Sequence, residues 1–229
     1  MPKVTVYSNQ SELNKGLTAF IIRLLEDKPT LTMALSGGST PKAVFDYWAG
    51  ECAETIPWDR IHFYWGDERC VPPEDEMSNY GMTKEHLFNR VSVPEENIHR
   101  IWGEAEPERE AARYGSILPP SLDVILLGMG EDGHTASIFP YNLSLWDSVE
   151  NCVVAAHPDT GMLRVSCTGR VINAAQHVAF LVTGKSKAEK VRDILDHPSA
   201  CFDRYPAARV NPASGKLFWF VDKEAMGEG

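Results

Sequence analysis

Val124, Ile125, Leu126 and Leu127 form an unbroken run of bulky apolar side chains, and Gly128, Gly130 and Gly133 follow at once. A short apolar run ended by glycine reads as a strand buried on both faces, as in a parallel sheet. Glycine reaches backbone conformations that other residues resist, so the chain can turn sharply at the carboxyl end of this strand. In open α/β sheets that edge is where ligands sit. The turn delivers an acid and an imidazole there, Asp132 and His134. These are the marks of an active-site loop.

Two plainer readings compete. Gly128-x-Gly130-x-x-Gly133 matches the glycine spacing of a dinucleotide-binding turn. Glu131 and Asp132 inside that turn would repel a pyrophosphate, and Pro140 leaves little room for the helix behind it. The second alternative is a histidine that only hydrogen-bonds its own loop. The other strand ends weigh against it.

Val4–Tyr7 is a strand candidate, with Ser8 and Ser11 as helix caps. Leu13, Leu17, Phe20, Ile21, Leu24 and Leu25 then recur at helical spacing, predicting an amphipathic helix against the sheet. After the strand Thr30–Leu35 comes Ser36-Gly37-Gly38-Ser39-Thr40-Pro41, with Thr40 a plausible N-cap and Pro41 suited to the first helical position. Strand, glycine turn and helix start together present backbone N–H groups and hydroxyls at a positive helix end, a ready anion site. A serine-nucleophile elbow does not fit, because Pro41 stands where Gly-x-Ser-x-Gly needs its last glycine.

Ile61–Trp65 is a further strand, ending in Gly66-Asp67-Glu68-Arg69; a helix is expected near Thr83–Phe88, a short strand at Ile98–Trp102 and a polar surface helix at Glu106–Ile117. Cys152–Ala156, Leu163–Thr168, His177–Thr183 and Leu217–Val221 complete the strands. Arg164 sits among apolar and small residues, so its guanidinium needs an anion or a path to water. Lys187 falls in the first turn of a cationic helix after the His177–Thr183 strand.

With 229 residues the chain can build one α/β domain, taken here as 1–229. A formal charge of −10 argues against nucleic acid or a membrane surface as partner, though not against a small anion. Five scattered cysteines without a Cys-x-x-Cys spacing suggest neither a disulfide frame nor a zinc site. No apolar run approaches membrane-spanning length and the first residues lack a signal-peptide core, so a cytoplasmic setting is expected. No helix face is left with surplus apolar residues, which favours a monomer.

Several stretches together resemble the 6-phosphogluconolactonase family, related to glucosamine-6-phosphate isomerase/deaminase. They are Ser36–Lys42, Gly66–Pro72 with Ser78–Met82, Gly128–Pro140, Arg164–Ser166 and Val182–Ala188, in that order over nearly the whole chain. The resemblance implies a three-layer α/β/α sandwich around a largely parallel sheet (NagB/RpiA-like). It implies hydrolysis of 6-phosphoglucono-δ-lactone to 6-phosphogluconate, the second step of the oxidative pentose phosphate pathway, with no metal and no organic cofactor. Asp67-Glu68-Arg69-x-Val71-Pro72 and Ser78-Asn79-x-x-Met82 look like the lactonase branch. The Pro158–Leu163 stretch is less proline-rich than the family pattern.

Lactone hydrolysis needs an activated water, a donor for the developing oxyanion and a grip on the distant phosphate. Free imidazole titrates at about 6.5 and can take a proton from water at physiological pH, so His134 suits the general base. Asp132 or Asp67 would orient it. Arg69 serves either phosphate or carbonyl. Arg164 and Lys187, with Gly37, Gly38, Ser39 and Thr40 of the glycine turn, form the expected phosphate grip. The rivals are a sugar-phosphate isomerase or deaminase with Asp67 as carbon base, and a non-catalytic sugar-phosphate sensor.

Overall fold

The computed structural model describes residues 2–228. In chain order its strands and α-helices are β1 (Lys3–Tyr7), α1 (Gln10–Glu26), β2 (Leu31–Leu35), α2 (Ser39–Glu51), β3 (Ile61–Trp65), β4 (Asp67–Arg69), α3 (Asn79–Thr83), α4 (Pro107–Ile117), β5 (Val124–Leu127), β6 (Cys152–Ala156), β7 (Leu163–Cys167), α5 (Gly169–Ala174), β8 (Val178–Val182), α6 (Ala188–Asp196), α7 (Pro198–Cys201) and β9 (Leu217–Asp222). Six strands form one parallel sheet in the order β1-β9-β8-β5-β2-β3, flanked by helices. Every residue of β5 and β8 is buried, as the apolar runs require of central parallel strands. From β2 the chain steps outward to β3, whereas β5, β8 and β9 lie on the other side. The order therefore reverses between β2 and β5, and the loops leaving those two strands part to open a crevice.

Helix α1 buries Leu13, Leu17, Phe20, Ile21 and Leu25, as its periodicity predicts. Its cap is Asn9, whose side chain accepts from the Glu12 N–H at 3.0 Å, rather than Ser8 or Ser11. Helix α2 begins two residues earlier than its cap pattern suggests. Gly38 occupies the cap position with φ of 106°, and Thr40 lies inside the first turn. Ile98–Trp102 is not a strand; only an isolated bridge joins Ile98 to Phe63. Helix α4 is more than a polar surface helix. Its Tyr114 is fully buried, and the hydroxyl accepts from the Trp65 N–H at 2.7 Å and donates to the Trp65 carbonyl at 3.1 Å. Strands β6 and β7 stand outside the parallel sheet, in a second, antiparallel three-stranded sheet of order β4-β7-β6.

Asp123, just before β5, ties that strand to β2. Its carboxylate accepts from the Thr32 N–H at 2.8 Å and the Thr32 hydroxyl at 3.0 Å, and pairs with Lys28. Burial pushes the Asp123 pKa up, but the Lys28 and Thr32 donors outweigh burial and leave it below the ordinary value. A depressed carboxyl pKa stabilises the fold above the unfolded value of about 3.9, and that contribution is lost as pH falls through the folded value. Asp123→Ala is therefore expected to cost about 1–3 kcal/mol at neutral pH. Urea titrations should show the gap to the parent protein closing as pH falls below the ordinary carboxyl range; a gap of equal size in acid would mean the carboxylate charge is irrelevant.

Candidate active site

The loop after β5 closes on itself through short backbone bonds. The Gly130 N–H donates to the His134 carbonyl at 2.9 Å, and the Gly133 N–H to the Gly130 carbonyl at 3.0 Å. Gly133 has φ of 85°, the left-handed region that favours glycine. Ala136 adopts φ of 49° although it carries a side chain, so the loop holds local strain beside the cleft it lines. At its centre Asp132 Oδ1 lies 2.6 Å from His134 Nδ1 and accepts from the His134 N–H at 3.0 Å. That contact assigns the ring proton to Nδ1 and leaves the Nε2 lone pair free. Burial pushes the Asp132 pKa up, yet the His134 ring and backbone donors outweigh it, so the carboxyl sits below its usual value. It carries its charge at neutral pH.

Asp67 makes no hydrogen bond to His134. It is buried, with Oδ2 accepting from the Ser137 hydroxyl at 2.5 Å and Oδ1 from Asn79 Nδ2 at 3.3 Å. Of the two acids that sequence left open as partners of the imidazole, Asp132 is the one within reach.

Arg69 and Arg164 stand directly opposite each other across β4 and β7. Like charges so placed repel, and the low exposure of Arg164, 6%, strengthens the repulsion. Arg164 makes one long hydrogen bond, to the Ser137 hydroxyl at 3.4 Å, and Arg69 donates to the Met77 carbonyl at 2.6 Å. The Nε atoms of both are buried without a protein partner. Burial pushes the Arg164 pKa down, opposed by Asp67 and reinforced by Arg69. Guanidinium stays charged in proteins even so. A buried and a half-buried guanidinium, each with an unused Nε donor, are prepared for an anion.

Glu68, between them in sequence, serves the fold. It accepts from the backbone N–H groups of Arg69, Asn79 and Tyr80, each at 2.7 Å, and from the Ser78 hydroxyl at 3.1 Å, holding the start of α3. Asn79 in turn presses on the turn after β2: a Cβ on Gly37 would stand 1.8 Å from Asn79 Oδ1. Gly37 is thus required by close approach and Gly38 by its backbone angle, since a Cβ on Gly38 would meet nothing within 4 Å. Ser39 and Thr40 begin α2, and the Thr40 hydroxyl is 2.7 Å from that of Thr183. Lys187, after β8, reaches Glu131 at 3.8 Å.

All the predicted residues except Asp132 line one cleft of about 260 Å³: Gly37, Gly38, Ser39, Thr40, Asp67, Arg69, His134, Arg164 and Lys187. Asp132 reaches it through His134. Sequence reasoning passed over Ser137, Asn79 and Thr183, small polar residues whose importance lies in partners far along the chain. All three lay inside the quoted motifs, which was the available signal. Among the described residues, no group of three or more His, Cys, Asp or Glu is arranged to hold a metal ion.

The sequence pattern described as "Glucosamine-6-phosphate isomerases/6-phosphogluconolactonase" matches residues 8–219. The 6-phosphogluconolactonase of Haemophilus influenzae is 41% identical over 223 residues, covering 95% of each chain. That of Treponema pallidum is 43% identical over 199 residues, covering 81% of this chain and 83% of its own. The crystal structure of 6-phosphogluconolactonase from Thermotoga maritima superposes with a TM-score of 0.86 at 30% identity, over 97% of this chain and all of the other.

Proposed function

The chain belongs to the glucosamine-6-phosphate isomerase/6-phosphogluconolactonase family, and on that premise we propose that it hydrolyses 6-phosphoglucono-δ-lactone to 6-phosphogluconate with His134 as general base. The hydrolase activity and its place in the pentose phosphate pathway follow from the relatives; the residue roles rest on geometry. The observation that carries them is the Asp132–His134 pair, with Nε2 free, in the same cleft as two guanidiniums whose Nε atoms lack partners. His134 Nε2 takes a proton from water as the oxygen attacks the lactone carbonyl. Asp132 stabilises the imidazolium that results. That imidazolium returns the proton to the ring oxygen as the carbon–oxygen bond breaks, so base and acid are one group. Arg164 and Lys187, with the N–H groups at the start of α2, grip the phosphate, and Arg69 adds a second guanidinium to the same anion.

Asp67 as carbon base, the isomerase or deaminase reading, is disfavoured because Ser137 and Asn79 already occupy its oxygens. We take residues 1–229 as one domain acting as a monomer on a small sugar-phosphate lactone, without nucleic acid. A cytoplasmic setting suits five free cysteines, and no helix among the described residues is long and apolar enough to cross a membrane. The test is a coupled assay of 6-phosphogluconate release from fresh lactone, read as excess over spontaneous opening. No excess, or ammonia release from glucosamine 6-phosphate instead, overturns the reading.

Gly130 gives a steric check on the dyad. An alanine Cβ there would lie 2.1 Å from His134 Nδ1 and 2.6 Å from Asp132 Oδ1, forcing the two apart. Gly130→Ala is expected to lower kcat by about a hundredfold, the usual consequence of misplacing a reacting group by an ångström. Steady-state kinetics on the folded variant decide it, and parental kcat would mean that the Asp132–His134 contact is dispensable.

A further inference from the structure

The ring of Phe139 stands among groups that line or border the cleft, and nothing so far assigns it a part. It is 1% exposed. The His134 ring centroid lies 4.6 Å away with the planes tilted by 46°, and the Arg164 guanidinium carbon sits 5.6 Å from the centroid, over the ring. His157 meets the same ring edge-on at 5.4 Å, and Tyr141 stacks at 5.9 Å. The Phe139 main chain is itself held, its N–H donating to Asn142 Oδ1 at 2.7 Å.

We propose that Phe139 is a positioning residue whose single aromatic surface fixes both the His134 imidazole and the Arg164 guanidinium. This rests on the reading of His134 as base and Arg164 as phosphate donor. Asp132 anchors His134 through one ring nitrogen, which leaves the ring free to swing unless a wall stops it. Phe139 is that wall. Arg164 has only its 3.4 Å bond to Ser137 and an unpartnered Nε, so polar contacts do not set its fork. An aromatic face attracts a cation and most strongly where water is excluded, which holds the fork without using its donors. His157 does not compete as a second cation on the ring. Its Nδ1 accepts from the Asp159 and Thr160 N–H groups at 3.2 and 3.4 Å, the arrangement of a neutral imidazole. Burial and the nearby Arg164 also push its pKa down.

The test is a pair of double-mutant cycles on the full chain, with rates read as excess over spontaneous opening. Phe139→Leu keeps an apolar side chain but loses the aromatic face. Alone it is expected to lower kcat about ten- to hundredfold and to raise KM about two- to tenfold. In a His134→Ala background it should cost no further kcat, and in an Arg164→Ala background it should raise KM no further. The same proportional loss in every background would show that Phe139 acts only through the fold and overturn the proposal. So would parental kcat and KM in Phe139→Leu alone. The two readings fail separately. A His134→Ala enzyme with parental kcat removes the base, and the kcat part of the positioning role with it. A full Phe139→Leu loss on top of a crippled His134→Ala enzyme removes the positioning role and leaves the base standing. If Phe139→Leu does not fold, Phe139→Met, longer and more adaptable in a core, carries the same cycles.

Discussion

Replacing His134 with alanine is expected to lower kcat by about a hundred- to ten-thousandfold, the range typical of a positioned acid–base group, while KM changes comparatively little. The imidazole is delivered by a glycine-freed loop at the end of β5, and its Nδ1 is bound by a carboxylate 2.6 Å away. In the parent enzyme, activity should fall on the acid side of its pH profile, because a protonated ring accepts no proton from water. Asp132 stays charged through that limb, since the His134 donors hold its pKa below the ordinary carboxyl value. Spontaneous lactone opening complicates the alkaline side, which makes the acid limb the informative one. His134→Gln separates chemistry from architecture: it retains hydrogen-bonding capacity and cannot act as a base at neutral pH. A His134→Gln enzyme within a few fold of the parent would end the general-base assignment.

The second large effect is expected at Arg164. Arg164→Ala should lower kcat/KM on the phosphorylated lactone about ten- to hundredfold, the loss of a charge-assisted hydrogen bond worth roughly 1.5–3 kcal/mol. On unphosphorylated gluconolactone the loss should be much smaller, because that substrate never used the contact. Removing a buried charge also leaves Asp67 without the cation that opposes it, so some stability is lost as well. Arg164→Lys keeps the charge and gives up the planar fork; the binding defect should persist there while stability largely returns. Equal proportional losses on both lactones would place Arg164 in the architecture rather than in the phosphate site.

Much of the frame was legible before any coordinates. The buried run Val124–Leu127, the glycine turn after β2 and the apolar stripe of α1 each depend on residues only a few positions apart. A strand or helix sets its own side-chain period, so sequence reports such features directly. The pairing of Asp132 with His134 has the same local character, two residues apart on one loop. The other contacts do not. Ser137 bonds Asp67 across 70 residues, Thr40 meets Thr183 across 143, and Arg69 faces Arg164 only because β4 and β7 pair in that register.

Nor does any local pattern take β6 and β7 out of the parallel sheet, although that departure brings Arg164 to the cleft. Tyr114 shows the same limit: a tyrosine in a polar helix reads as surface until Trp65 is seen beneath it. Composition and periodicity by themselves determined a buried parallel strand, its glycine-freed loop and the acid and imidazole it carries. Tertiary structure alone decided that Asp67 turns to Ser137 and Asn79, which guanidinium atoms are left without partners and which aromatic ring the imidazole shares with Arg164, because those depend on strand register and on packing between layers, which no spacing along the chain records.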